Sequence, residues 1–137
     1  MSVNFKSFLQ ELDQLDLSAD EYAITASGPM AVREIRDSKD LDIIVSDHLW
    51  KELVQKYEIT PGIICDNIHI GNIDILGNFK VIDDTYPIED QMRTADIIDG
   101  KKYIKLEIIK YFKQKMARPK DLVDVDLIDK YLSQKPA

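Results

Sequence analysis

Cysteine is nearly absent from this chain: Cys65 is the only one in 137 residues. A lone thiol excludes an internal disulfide framework and a cysteine-rich zinc site. Cys65 therefore reads as a small buried apolar side chain. Histidine is almost as scarce. His48 and His69 are too few and too far apart for a histidine-based metal site, and His69 reads as a surface or half-buried strand residue. No apolar run approaches the roughly 18 residues that a membrane span needs. The opening MSVNFKSFLQELDQL lacks the charged-then-apolar build of a signal peptide, so a cytoplasmic protein with no membrane partner is expected. Positive charge is also short. The 18 Lys and Arg stand against 25 Asp and Glu, a net charge of −7. That argues against nucleic acid as a partner, since such binding rests on clustered cations.

What is present is ordinary globular material, 45% hydrophobic and 31% charged, with one domain expected over residues 1–137. Phe5, Phe8, Leu9, Leu12 and Leu15 recur at helical spacing, which predicts a helix over about 4–16. Tyr22 to Ala26 reads as a strand, and Gly28-Pro29 opens a helix running to about Ile35. A second strand covers Asp40 to Val45. Ser46 or Asp47 caps a helix carrying Leu49, Trp50, Leu53, Val54 and Tyr57, with Trp50 and Tyr57 as packing residues. Ile63, Ile64, Ile68, Ile70, Ile73 and Ile75 mark a β region folded at Gly71-Asn72. One or two helical turns follow over about 88–93, then a hairpin at Asp99-Gly100. Two helices close the chain, one over Leu106 to Met116 and one from Pro119, with a frayed tail over Gln134 to Ala137. The order predicts an α/β (α+β) domain, a mixed sheet with helices mainly on one side.

Three acidic residues stand on those strands. Asp40 and Asp42 share one face of the second strand, while Leu41, Ile43 and Val45 point the other way. Asp74 lies between Ile73 and Ile75. Aspartate is depleted in strands, and neighbouring carboxylates repel unless a cation sits between them. Mg²⁺ meets that need with carboxylate oxygens and substrate phosphates. The Gly28 turn upstream resembles a phosphate site at a helix start. Lys101, Lys102, Lys105, Lys110, Lys113, Lys115, Arg118 and Lys120 crowd one later stretch. They read either as a solvated helix face or as a group of which a few face the acidic strand across a cleft.

These features together resemble the nucleotidyltransferase superfamily, the fold of polymerase beta and of small toxin-like and antibiotic nucleotidyltransferases. The carriers are the Tyr22–Ala26 strand, the Ser27-Gly28 turn, the Asp40-x-Asp42 pair and the later Asp74. A second match is KMARPKDLVDVDLI, residues 115–128, which is similar to a Lys-x-x-Arg-x-Lys-Asp-x-x-Asp helix pair of those smaller members. The resemblance covers about residues 20–132. It implies a Mg²⁺-dependent enzyme that moves a nucleoside monophosphate from a nucleoside triphosphate to an unknown acceptor hydroxyl. Asp40, Asp42 and Asp74 would be catalytic and hold two Mg²⁺ ions. Ser27, Gly28, Lys115, Arg118 and Lys120 would bind the nucleotide. Ser27-Gly28 stands where the family has Gly-Gly or Gly-Ser, and Pro29 removes a backbone N–H. The alternative is therefore a catalytically degenerate domain of this fold that binds nucleotide or a protein partner, with homo-oligomerisation open in either case.

Overall fold

The computed structural model of the chain describes residues 1–134. Helix α1 (Val3–Gln14) starts where Ser2 Oγ accepts the Phe5 N–H at 3.0 Å, and it buries Phe5, Phe8 and Leu12. Strand β1 (Tyr22–Thr25) leads into α2 (Gly28–Ala31). That helix is shorter than its sequence suggests, because a Schellman motif closes it. Glu34 takes a positive φ of 60°, its N–H returns to Ala31 O, and the Ile35 N–H returns to Met30 O. Strand β2 (Leu41–Val45) follows a polar turn, and α3 (Asp47–Leu53) is capped by Ser46, whose Oγ accepts the Leu49 N–H. Trp50 is buried as expected, but Tyr57 lies beyond the helix end and is exposed.

Strands β3 (Asp66–Ile70) and β4 (Ile73–Gly77) form the hairpin at Gly71-Asn72. Ile63 and Ile64 are not part of it. They sit on an exposed loop because the Asp66 carboxylate holds that segment, accepting the Gly62 N–H, Asn78 Nδ2 and Lys80 Nζ. After α4 (Ile88–Arg93), strands β5 (Asp96–Ile98) and β6 (Lys101–Tyr103) turn at Asp99-Gly100. Both turn residues have positive φ, 50° and 80°, as a tight hairpin with this twist needs. Helices α5 (Leu106–Met116) and α6 (Pro119–Gln134) complete the described chain. Gln134 still belongs to α6, and the rest of the expected frayed tail, residues 135–137, lies outside the described residues.

The six strands make one mixed sheet in the order β3-β4-β2-β1-β6-β5. Strand β2 lies near its middle, antiparallel to β1 and parallel to β4. The helices do not gather mainly on one side. Helices α1 and α3 pack with Ile24, Leu41, Ile43 and Ile75 on one face of the sheet. Residues from α4, α5 and α6 pack with Ala23 and Ile44 on the other. The physical reason lies in β2, where Leu41, Ile43 and Val45 are buried on one face and Ile44 on the other. A central strand apolar on both faces needs cover on both. Asp42 is the one residue of β2 that is not buried.

Candidate functional site

Parallel pairing of β2 with β4 sets Asp42 directly beside Asp74. Asp40 precedes β2 by one residue and shares the face of Asp42. One carboxylate oxygen from each of the three lies within 4.8 Å of the others, and all three residues are half-buried. Local sequence explains why they face one way, since the alternating residues Leu41, Ile43, Ile73 and Ile75 are all buried beneath the sheet.

No Lys or Arg forms an ion pair with these three carboxylates among the described residues, and the electrostatics reflect it. Burial pushes the Asp42 carboxyl up to about 7, helped by the charges of Asp40 and Asp74 and partly offset by His69. Asp40 is raised too, first by burial and then by Asp74. Three carboxylates brought this close together make a place where a cation is favoured.

His69 is the residue that sequence reasoning undervalued. It pairs directly with Asp74 across the β3–β4 hairpin, and its Nδ1 contacts Asp74 Oδ1. The signal was available: a two-residue turn at Gly71-Asn72 pairs Ile70 with Ile73, and therefore His69 with Asp74.

The Ser27-Gly28 turn lies beside the cluster in the chain's path but is built differently from a free phosphate cradle. Ser38 Oγ donates to Asp40 O at 2.6 Å, and Ser27 Oγ contacts Ser38 Oγ. A hydroxyl has one proton. With Ser38's proton on Asp40 O, Ser27 must be the donor in their contact. The Ser27 hydroxyl thus has no proton left for a phosphate oxygen. Gly28 is required for close approach rather than for left-handed backbone, which occurs at Ala26 instead (φ 56°). A Cβ on Gly28 would stand 2.3 Å from Ile24 Cγ2. Gly28→Val should therefore destabilise the fold by about 2 kcal/mol or more. Chemical unfolding checks this, and a loss below about 0.5 kcal/mol would show that Ile24 can yield.

The basic stretch does not face the acidic strand as a block. Six of its eight cations pair with other carboxylates: Lys101 with Asp13, Lys105 with Asp96, Lys110 with Asp129, Lys113 with Asp124, Lys115 with Asp83, Arg118 with Asp121. Lys115 also lies 5.3 Å from the centre of the Tyr111 ring. Lys120 is exposed. Of the charged residues in the 115–128 motif, Asp121 and Asp124 are buried. Asp121 also accepts the Arg118 N–H at 3.2 Å, so it caps the start of α6.

Two surface clefts lie elsewhere. One of about 250 Å³ opens between the end of α1 and α3, near Leu17, Leu53 and Tyr57. Another of about 330 Å³ lies between Val45, Phe79, Ile82 and Met92. Neither is lined by Asp40, Asp42 or Asp74. The chemistry favours the carboxylate cluster over either cleft, because among the described residues it is these three side chains whose ligand atoms converge closely enough to share a cation. Cys65 is half-buried, with Sγ 3.9 Å from Asn67 Oδ1. No helix among the described residues is long and apolar enough to cross a membrane. No protein-family model matches the chain, and no curated protein matches it in sequence.

Proposed function

We propose that the chain is a Mg²⁺-dependent nucleotidyltransferase that moves a nucleoside monophosphate from a nucleoside triphosphate to an acceptor hydroxyl. The convergence of Asp40, Asp42 and Asp74 carries the proposal. The donor set is all carboxylate oxygen, which suits Mg²⁺ or Mn²⁺ rather than metals that prefer thiolate or imidazole. Asp40 and Asp42 would hold two ions between them, with Asp74 on one. Bound there, the metal supplies charge neutralisation for an in-line displacement on phosphate. Asp74 would accept the proton of the attacking hydroxyl, and its contact with His69 Nδ1 would hold its carboxylate. The backbone of the Ser27-Gly28 turn is left to meet phosphate, since the Ser27 hydroxyl is committed to Ser38. All three cations of the expected phosphate-binding trio are exposed, and Lys115 and Arg118 could reach phosphate only by leaving Asp83 and Asp121. The expected setting is the cytoplasm.

A second reading, a catalytically degenerate domain of the same fold that binds nucleotide or a protein partner, is favoured by the turn itself. Pro29 lacks an N–H, and Gly28 is buried against Ile24. The test is a screen of the four nucleoside triphosphates for Mg²⁺-dependent thermal stabilisation. A ligand at 100 times its dissociation constant adds about 2.7 kcal/mol. For an enzyme, Asp74→Asn should keep most of that stabilisation and remove transfer of radiolabel to candidate acceptors. Binding without transfer across a broad acceptor panel favours the degenerate domain. No stabilisation by any triphosphate at millimolar Mg²⁺ would defeat both nucleotide readings.

A further inference from the structure

Resting on the metal-site reading above, we infer that Ser38 is a positioning residue that fixes Asp40 for the cation by pinning the peptide plane between Asp40 and Leu41. Ser38 is 3% exposed and lies outside the carboxylate cluster. Its Oγ donates to Asp40 O at 2.6 Å. The other end of the same peptide, the Leu41 N–H, donates to Asn72 O at 3.0 Å. That plane is thereby held at both ends, by the polar turn that precedes β2 on one side and by the β3–β4 hairpin on the other. The hairpin carries Asp74 two residues after Asn72. Ser38 itself is held by its N–H, which donates to Asp37 Oδ1 at 2.9 Å, and by the hydroxyl of Ser27. The direction of the Asp40 side chain relative to Asp74 follows from the orientation of this plane.

The arrangement solves a physical problem. Asp40 precedes the strand, so the β ladder does not hold its carbonyl, and without a cation its carboxylate is pushed away by Asp42 and Asp74. A buried hydroxyl on the carbonyl holds the residue in place against that repulsion. Hydrogen-bonded supports of a metal-ligating carboxylate commonly change metal affinity by about 10- to 100-fold.

The experiment is a Mn²⁺ titration, followed by the paramagnetic signal of free Mn²⁺, on the wild type and a short set of variants. Ser38→Ala should weaken Mn²⁺ by at least about tenfold. Ser38→Thr keeps the hydroxyl and should stay within about threefold of wild type, a rescue that a merely steric role would not produce. In an Asp40→Asn background, Ser38→Ala should add less than about twofold, since its effect passes through Asp40. Thermal midpoints in chelator establish that each variant is folded. If Ser38→Ala is not, Ser38→Cys takes its place, being of similar size and a weak donor. Wild-type Mn²⁺ affinity in the folded Ala or Cys variant, or losses that simply add in the double variant, would overturn the inference and leave the metal site standing. A wild type that binds no Mn²⁺ at millimolar concentration would overturn the metal site itself, and the role of Ser38 with it.

Discussion

Asp42→Asn should stabilise the metal-free protein by about 2 kcal/mol at pH 8 and abolish Mg²⁺-dependent nucleotide binding. The Asp42 carboxyl is pushed up to about 7 by burial and by Asp40 and Asp74. Unfolded, it titrates near the ordinary value of about 3.9. Between these two values the folded state holds a proton that the unfolded state has lost. Stability from Asp42 is therefore full below about pH 4 and falls as pH rises to about 7. The full shift corresponds to ~4 kcal/mol, and partial exposure of the site to water reduces this to about 2. Asparagine cannot ionise. The gap between variant and wild type should thus be small near pH 4 and complete by pH 8. Urea unfolding in chelator at several pH values measures it. A variant less stable than wild type by more than about 1 kcal/mol would instead mark Asp42 as a structural hydrogen-bond acceptor.

Asp124→Ala should cost about 3–5 kcal/mol and also weaken cation binding at the proposed site. Asp124 is 4% exposed and accepts from Arg36 through two nitrogens, at 2.7 and 2.8 Å, and from Lys113 at 2.8 Å. Lys113 is itself 9% exposed, and its next carboxylate, Asp121, is 3.9 Å away and engaged by Arg118. Burial alone would raise the Asp124 carboxyl, but Arg36 and Lys113 outweigh it and hold it below the usual range. The sign is opposite to that of Asp42: this stability is present above about pH 4 and is lost as pH falls below the ordinary carboxylate value. Removing the carboxylate leaves a buried ammonium without its partner, which is the costly way to break such a pair. It also unties Arg36, four residues before Asp40, so Mn²⁺ affinity should fall along with stability. Equilibrium unfolding and Mn²⁺ titration test both, and a stability loss below about 1 kcal/mol would show that the pair is replaceable by water.

Much of the local architecture was legible from the chain. Apolar spacing marks α1, α3, α5 and α6, and Ser46 marks the start of α3. Gly71-Asn72 and Asp99-Gly100 mark the two hairpins, and alternation puts Asp40 and Asp42 on one side of Leu41 and Ile43. These features depend on neighbours a few residues apart, where sterics and side-chain hydrogen bonds decide. The errors came where distant groups competed. Ile63 and Ile64 have strand composition, but Asp66 draws that segment into a loop with Asn78 and Lys80. The crowding of cations near the C-terminus does not reveal their partners, which are carboxylates spread from Asp13 to Asp129.

The sequence by itself determined that Asp42 and Asp74 each sit on an apolar strand, facing away from its buried residues. Only the tertiary structure decided that β2 and β4 lie side by side, parallel and in the register that sets Asp42 beside Asp74. A parallel pair has no turn to define its register. It is set instead by burying Leu41 and Ile43 together with Ile73 and Ile75 under α1 and α3. A slip of one residue would turn those side chains out of the core and separate the carboxylates.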